Sequence, residues 1–428
     1  MKKIFTILTF FSVTSIFATD RYVDPNLSSG NGTTLFTNIA SAVAAAVNGD
    51  RIIVSSNTYN EPTLTIDKSL KIIPQISGSV INLNADINII GLSGMKLELI
   101  GLNLGIYSIG TSPISNGSNT NRAKVSIINC STANIGFDND NYELNLIKTN
   151  VTSDVNFRFG NIISNSMLNC YLWDEGSTNV NGSIKNFIVG NSIGNNTFIY
   201  NDDYKFIIAN NTLKNLFISK WVLNSNLTNY IENNEFNSNC KLYFAILSGS
   251  APYNGNVNDY FAWNSSLTYN FKFVNNKFLG SVLYANRNTS LTYPGAFGCL
   301  FYGSDLNSVT QSATYSANSE WPNVNAAGFY DWSYNGFNLP HNYTGGLVYT
   351  NVSGPSSDID GGNPNHDYYD IDLTINDRGI NGGPYSQLNY NPTSNPNNSK
   401  AFIFDLDMPT DLFPNQTVNI KAKGYHKN

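Results

Sequence analysis

Phe206-Ile207-Ile208-Ala209-Asn210-Asn211-Thr212-Leu213 sets the pattern of the middle of the chain: a short apolar run, an asparagine pair, then polar–apolar alternation. The pair and its sequel recur as Asn195-Asn196-Thr197-Phe198, Asn233-Asn234-Glu235-Phe236 and Asn275-Asn276-Lys277-Phe278. The runs before them include Ser126-Ile127-Ile128, Phe187-Ile188-Val189 and Phe271-Lys272-Phe273-Val274. Aligning Asn129, Asn150, Asn169, Asn191, Asn210, Asn233 and Asn275 gives steps of about twenty residues, the last about twice that and read as two periods. The register stays open between Asn165 and Asn169 and between Asn191 and Asn195. Runs this short, rich in β-branched and aromatic residues, are strands that cannot bury themselves singly. Stacked on one another about 4.8 Å apart, they share ladder hydrogen bonds and an interior. Asparagine suits the turns between them, because it tolerates the left-handed backbone region and its amide bonds locally. Stacked asparagines can also form an amide ladder.

Composition agrees with a β-solenoid. Charged residues are 13% of the chain, about half the usual share. Asparagine is roughly one residue in six, well above average usage. Asn, Ser, Thr and Tyr therefore cover the surface in place of Lys and Glu. A net charge of −6 without a Lys/Arg cluster argues against a nucleic-acid partner.

Lys2 and Lys3, the apolar run to Phe17, Ala18 and a polar continuation from Thr19 form a signal-peptide pattern, too short to span a bilayer comfortably. Export follows as the expectation, to the cell surface, the surroundings or the periplasm, with no membrane span afterwards. Cys130, Cys170, Cys240 and Cys299 are widely spaced, and three of them follow an asparagine. Burial in the stacked interior is favoured over bridging, and no spacing suggests zinc.

Residues 36–48 read as an alanine-rich helix with Thr37 or Asn38 as N-cap, ended by Gly49-Asp50. Laid over the first coil, it would hide an open strand edge. The expected organisation is a signal peptide over 1–18, an N-terminal cap over 19–50, a β-helix over 51–384 with aromatic-rich insertions at 243–343, and a linker with a strand-like cap over 385–428.

Ala44-Ala45-Ala46-Val47-Asn48-Gly49-Asp50-Arg51-Ile52-Ile53-Val54, with Leu64-Thr65-Ile66-Asp67-Lys68-Ser69-Leu70-Lys71-Ile72-Ile73 after it, resembles the opening of the pectin-lyase-like superfamily. Asp370-Ile371-Asp372-Leu373-Thr374-Ile375-Asn376-Asp377-Arg378-Gly379-Ile380-Asn381-Gly382-Gly383-Pro384 is similar to the ending of many exported bacterial β-helix proteins. The resemblance implies an all-β, right-handed parallel β-helix with an N-terminal capping helix and says nothing of substrate.

The superfamily's enzymes imply active-site plans that this chain does not carry. Hydrolysis of the polygalacturonase type needs Gly-His-Gly and Arg-x-Lys elements, yet His341, His366 and His426 lack those flanks. Elimination of the pectate-lyase type needs an Arg-x-Pro-x-x-Arg segment, and no arginine pair has that spacing. Asp202 and Asp203 with Lys205 remain as weak catalytic candidates, and Asp138, Asp140 and Glu143 as a second acidic cluster. Both stand in Asn-rich turns, where acidic residues ordinarily meet solvent.

Asp358, Asp360, Asp367, Asp370 and Asp372 offer enough hard oxygens for calcium, the one cofactor considered, without EF-hand spacing. Turn-capping and polar closure of the last coil is the favoured role. Tyr260, Trp263, Trp321, Tyr330, Trp332 and Tyr334 lie among Gly, Ser and Asn where the repeat breaks. Insertions in solenoids fall on one, often binding, face, and aromatic rings with nearby amides suit sugars. The reading is an exported, non-catalytic β-helix that engages glycans or a cell-surface partner through these loops. The alternatives are a polysaccharide lyase or hydrolase with a divergent site, and a purely structural solenoid.

Overall fold

A computed structural model describes residues 18–112, 121–173, 185–200, 205–220, 229–246, 269–274, 276–278, 282–286, 297–302, 359–360, 370, 374–377, 379–383, 385–386, 402–407 and 421–425. Two long parallel sheets dominate, of 13 and 16 strands among the described residues. Each coil gives one strand to the first sheet, as in Ala123–Ile128, Tyr142–Ile147 and Gly160–Ile163. The chain then turns sharply and crosses the second sheet. In the early coils that crossing is two short strands, such as Ser131–Thr132 and Ile135–Phe137. In the middle coils the two merge into single long strands, Ser166–Trp173, Ser192–Tyr200, Thr212–Lys220 and Glu235–Ile246. The merger leaves register shifts at Met167/Asn169, Ile193/Asn196 and Leu213/Asn215. This is the architecture of a β-solenoid.

Alternation along each strand builds the interior. Ala123, Val125 and Ile127 point inward and are buried while Lys124, Ser126 and Ile128 point out. Parallel pairing in strict register stacks Val125 on Leu97 and Leu144, so the core is a set of continuous apolar columns.

The turn out of the first sheet repeats two positions. The first lies in the left-handed region: Gly101, Asn129, Lys148, Ser164, Gly190, Asn210 and Asn233 all have positive φ. The second points inward and forms the ladder Asn165–Asn191–Asn211–Asn234–Asn276, each buried. Every rung repeats the same bonds. The side-chain oxygen of one asparagine accepts from both the backbone N–H and the Nδ2 of the one before, and its own Nδ2 donates to a strand carbonyl. Thr149 extends the ladder by donating its N–H to Asn165 Oδ1 at 2.8 Å, and its hydroxyl accepts the Cys130 N–H at 3.3 Å.

The sequence alignment therefore mixed columns. Asn129, Asn210 and Asn233 hold the left-handed position, Asn191 is a rung, and Asn150 and Asn169 lie on second-sheet strands. The step of 42 residues between Asn234 and Asn276 is one rung and not two periods. The additional chain, 247–268, leaves between Glu235–Ile246 and Tyr269–Val274 without breaking the stack.

At the N-terminal end, Asp20–Val23 and Leu35–Phe36 already belong to the first sheet. The helix Ile39–Ala45 packs against them and against Arg51–Val54. Asn38 is its N-cap, accepting the Ser41 N–H. The Glu61 carboxylate accepts the Ile39 and Ala40 N–H groups at that end, and Lys68 Nζ donates to the Val43 and Ala44 carbonyls at the other. Both charges oppose the helix dipole.

Residues 374–377, 379–383 and 385–386 fold back over the outer face of the first sheet. Asn210 Nδ2 donates to the carbonyls of Ile380 and Gly382, and Asn233 Nδ2 to Asn376 Oδ1 and the Asp377 carbonyl at 2.7 Å each. Tyr385 packs on an outward apolar cluster that includes Ile147, Ile163, Phe187, Val189 and Ile207. The segment around Gly382-Gly383 thus acts as a lateral strap on earlier coils. Phe402–Asp407 and Lys421–Tyr425 form an antiparallel pair.

Candidate functional site

The outer face of the second sheet joins three features that suit an extended polar ligand. A polar column runs across its coils. Asp86 Oδ1 accepts the Ser108 N–H at 2.8 Å, Ser108 Oγ accepts from Asn134 Nδ2, and Asn134 Oδ1 accepts the Asp154 N–H. Asp154 Oδ1 then accepts from Asn169 Nδ2 at 2.8 Å, Asn169 Oδ1 the Asn196 N–H at 3.1 Å, and Asn196 Oδ1 from Asn215 Nδ2 at 2.9 Å.

The adjacent outward column changes character along the coil. Asn88, Gly110, Gly136 and Asn156 stand in register, followed by Tyr171, Phe198 and Phe217. A Cβ placed on Gly110 or Gly136 would meet nothing within 4 Å, so the two glycines leave an open, backbone-floored trough. At its end the rings stack: Tyr171 on Phe198 at 5.0 Å and 5°, Phe198 on Phe217 at 4.5 Å and 17°. Trp173 closes the other face of Tyr171 at 5.8 Å and 10°, and its Nε1 donates to Asn156 Oδ1 at 2.9 Å. Strand spacing dictates this geometry, since in-register rings about 4.8 Å apart meet face to face. Ring faces within the stack are therefore covered by one another, and the half-buried Tyr171, Trp173 and Phe217 offer mainly edges.

The acidic residues between the second-sheet strand Ile135–Phe137 and the first-sheet strand Tyr142–Ile147, and at the start of the latter, are engaged. Asp140 pairs with Arg158 at 2.9 Å and Glu143 with Lys124 at 3.3 Å. Arg122 lies 3.7 Å over the Phe159 ring and donates to the Asp140 carbonyl. Asp140 and Glu143 of the second acidic cluster are thus held in ion pairs, and the Asp138 carbonyl accepts from Arg158.

Of the weak catalytic candidates, Asp202 and Asp203 lie outside the described residues, and Lys205 begins the first-sheet strand Lys205–Ala209. Tyr260, Trp263, Trp321, Tyr330, Trp332 and Tyr334 also lie outside them, as do Asp358, Asp367 and Asp372. Asp370 spends both oxygens on the strap itself, accepting the N–H groups of Asp377 and Gly383. Asp377 in turn accepts the exposed Asp360 N–H at 2.8 Å. Among the described residues, no three His, Cys, Asp or Glu side chains form a metal-binding group.

The row Tyr171, Trp173, Phe198 and Phe217 was not singled out in the sequence. Its signal was present in Leu172-Trp173 and Leu216-Phe217, where an aromatic follows an inward apolar residue, but the relevant register appears only once the coils are aligned. Comparison with family models, curated proteins and solved structures yields no match.

Proposed function

We propose that the protein is an exported, non-catalytic, right-handed parallel β-helix of the pectin-lyase-like kind that holds a glycan against the outer face of its second sheet. The single observation that carries this reading is the open Gly110–Gly136 trough beside a column of bonded amide, hydroxyl and carboxylate groups. A flat sugar ring can lie on exposed backbone, its hydroxyls bonded by donors and acceptors that repeat about every 4.8 Å. The stacked rings form an apolar wall at one end. The aromatic-rich insertions at 243–343 stay sequence candidates for the same glycan and lie largely outside the described residues. The helix Ile39–Ala45 serves as the cap of the first coil, and the basic–apolar start directs export.

A glycan array tests the reading, with Gly110→Leu and Gly136→Leu as probes. A Cβ at either position meets no neighbour within 4 Å, so both variants should fold with their side chains in the trough. A glycan bound by the parent and weakened at least ten-fold by both substitutions is the expected result. Silence across neutral and acidic glycans, or binding indifferent to both, would overturn it.

A further inference from the structure

The strap covers only part of an apolar column that runs far beyond it. On the outer face of the first sheet Tyr22 is level with Ile53 and Ile53 with Ile73. Ile72 pairs with Leu99, which places Ile73 level with Ile100, and Ile100 pairs with Ile128. Ile128 then pairs with Ile147, the first residue of the cluster on which Tyr385 packs. The column is thus continuous, but its two halves differ. Ile147 and Ile163 are 6% and 0% exposed beneath the strap, whereas Tyr22 is 41% exposed and Ile53, Ile73, Ile100 and Ile128 are partly open.

The polar anchor of the strap is repeated beside the open half. Asn210 and Asn233 grip the strap from the left-handed turn position, with φ of 54° and 53°. Asn129 holds the same position with φ of 53°, next to Ile128, and is exposed. The neighbouring outward column is neutralised internally, by Arg51 with Asp20 at 2.6 Å and Lys71 with Glu98 at 2.9 Å. The column itself offers apolar contact and one amide donor, beside charges that pair with each other.

We propose that the outer face between Tyr22 and Asn129 is a second peptide-docking site, which takes an extended, glycine-rich, uncharged segment with one aromatic side chain from another protein chain. That is the chemistry of Gly379–Tyr385, which the contiguous half of the column already binds. The Asn129 amide donates to a backbone carbonyl of the incoming segment, and its aromatic ring packs on Ile100 and Ile128. The site is independent of the glycan-binding reading and lies on the other sheet.

The test uses a labelled peptide of sequence 379–386 titrated into the full chain and followed by fluorescence anisotropy. Saturable binding is expected, weakened at least ten-fold by Ile73→Lys and by Asn129→Gly. The second variant keeps the positive-φ turn, because glycine adopts it freely, and so separates loss of the anchor from loss of the fold. No binding would overturn the proposal. So would binding that both substitutions leave intact and Asn233→Gly alone alters, because the peptide would then be exchanging with the strap.

Discussion

The backbone N–H and the side-chain Nδ2 of Asn191 end on one oxygen, Oδ1 of Asn211, each at 2.9 Å. Asn211 repeats the arrangement on Asn234, while its own Nδ2 also donates to the Ile188 carbonyl at 2.7 Å. Each amide is thus both floor and ceiling of its coil. Replacing one by an apolar residue takes the acceptor from two donors of the rung before and a donor from the strand carbonyl and the rung after, in a buried interior, at about 1–3 kcal/mol per group. Asn211→Leu should therefore cost at least about 3 kcal/mol, read as a lower urea midpoint. Asn129→Gly, at an exposed turn, should change it by no more than about 0.5 kcal/mol. Equal effects would show that the ladder does not contribute to stability.

That contrast shows what the sequence encodes openly and what it hides. The short β-branched runs and returning asparagines were enough to specify a stacked β-coil, because burial and turn chemistry act locally. Which asparagine is the rung was not legible. Asn210 and Asn211 are identical in type, and only the left-handed conformation of the first turns the second inward. Nor was the site. Gly110 and Gly136 become neighbours of Tyr171 through pairing of distant coils, with no local mark of their own. The strap motif was conspicuous, but its receptor lies at Asn210 and Asn233, far back in the chain.

Strap docking depends on two glycines as well as two amides. A Cβ on Gly382 would strike the Asp377 carbonyl and approach Asn233 Nδ2 to 2.6 Å, and Gly383 has φ of 73°. Gly382→Ala and Asn233→Gly should each release the segment and uncover Phe187. Hydrogen exchange at residues 379–386 should then rise by at least ten-fold, with the ladder amides of Asn191 and Asn211 still protected. Unchanged exchange would show that the strap is held by other contacts.

Cys130 and Cys170 are both free and buried, and burial pushes the Cys130 thiol up from 9.0 to about 12 and Cys170 up as well. Neither should react with iodoacetamide in the native state. The sign of the linkage follows: above pH 9 the unfolded thiols ionise and the folded ones do not, so protons favour the native state and stability falls as pH rises. Burial raises Tyr59 and Tyr142 in the same direction. Cys130→Ala with Cys170→Ala should flatten this alkaline limb between pH 9 and 11, measured by urea denaturation. An unaltered slope would assign the alkaline limb to groups other than these two thiols.

The acid limb should trace to Asp50, which ties the first strands together. Its Oδ1 accepts the Thr19 N–H at 2.8 Å, and its Oδ2 accepts from Val47 N–H at 2.9 Å and Arg21 Nε at 2.7 Å. Burial alone would raise this carboxyl. The Val47 and Thr19 N–H groups and the Arg21 guanidinium outweigh it and hold the group below 3.8. A depressed carboxylate contributes stability that is present above its unfolded value and is lost as pH falls through the folded one. The parent should therefore lose stability progressively below about pH 4. Asp50→Asn keeps the shape but leaves Arg21, 8% exposed, without its counter-charge, at about 3–5 kcal/mol near neutral pH. The variant should also show a shallower acid limb than the parent, because the titrating group is gone. A parallel acid limb in the two proteins would place the acid sensitivity elsewhere and reduce Asp50 to a hydrogen-bond acceptor that asparagine can replace.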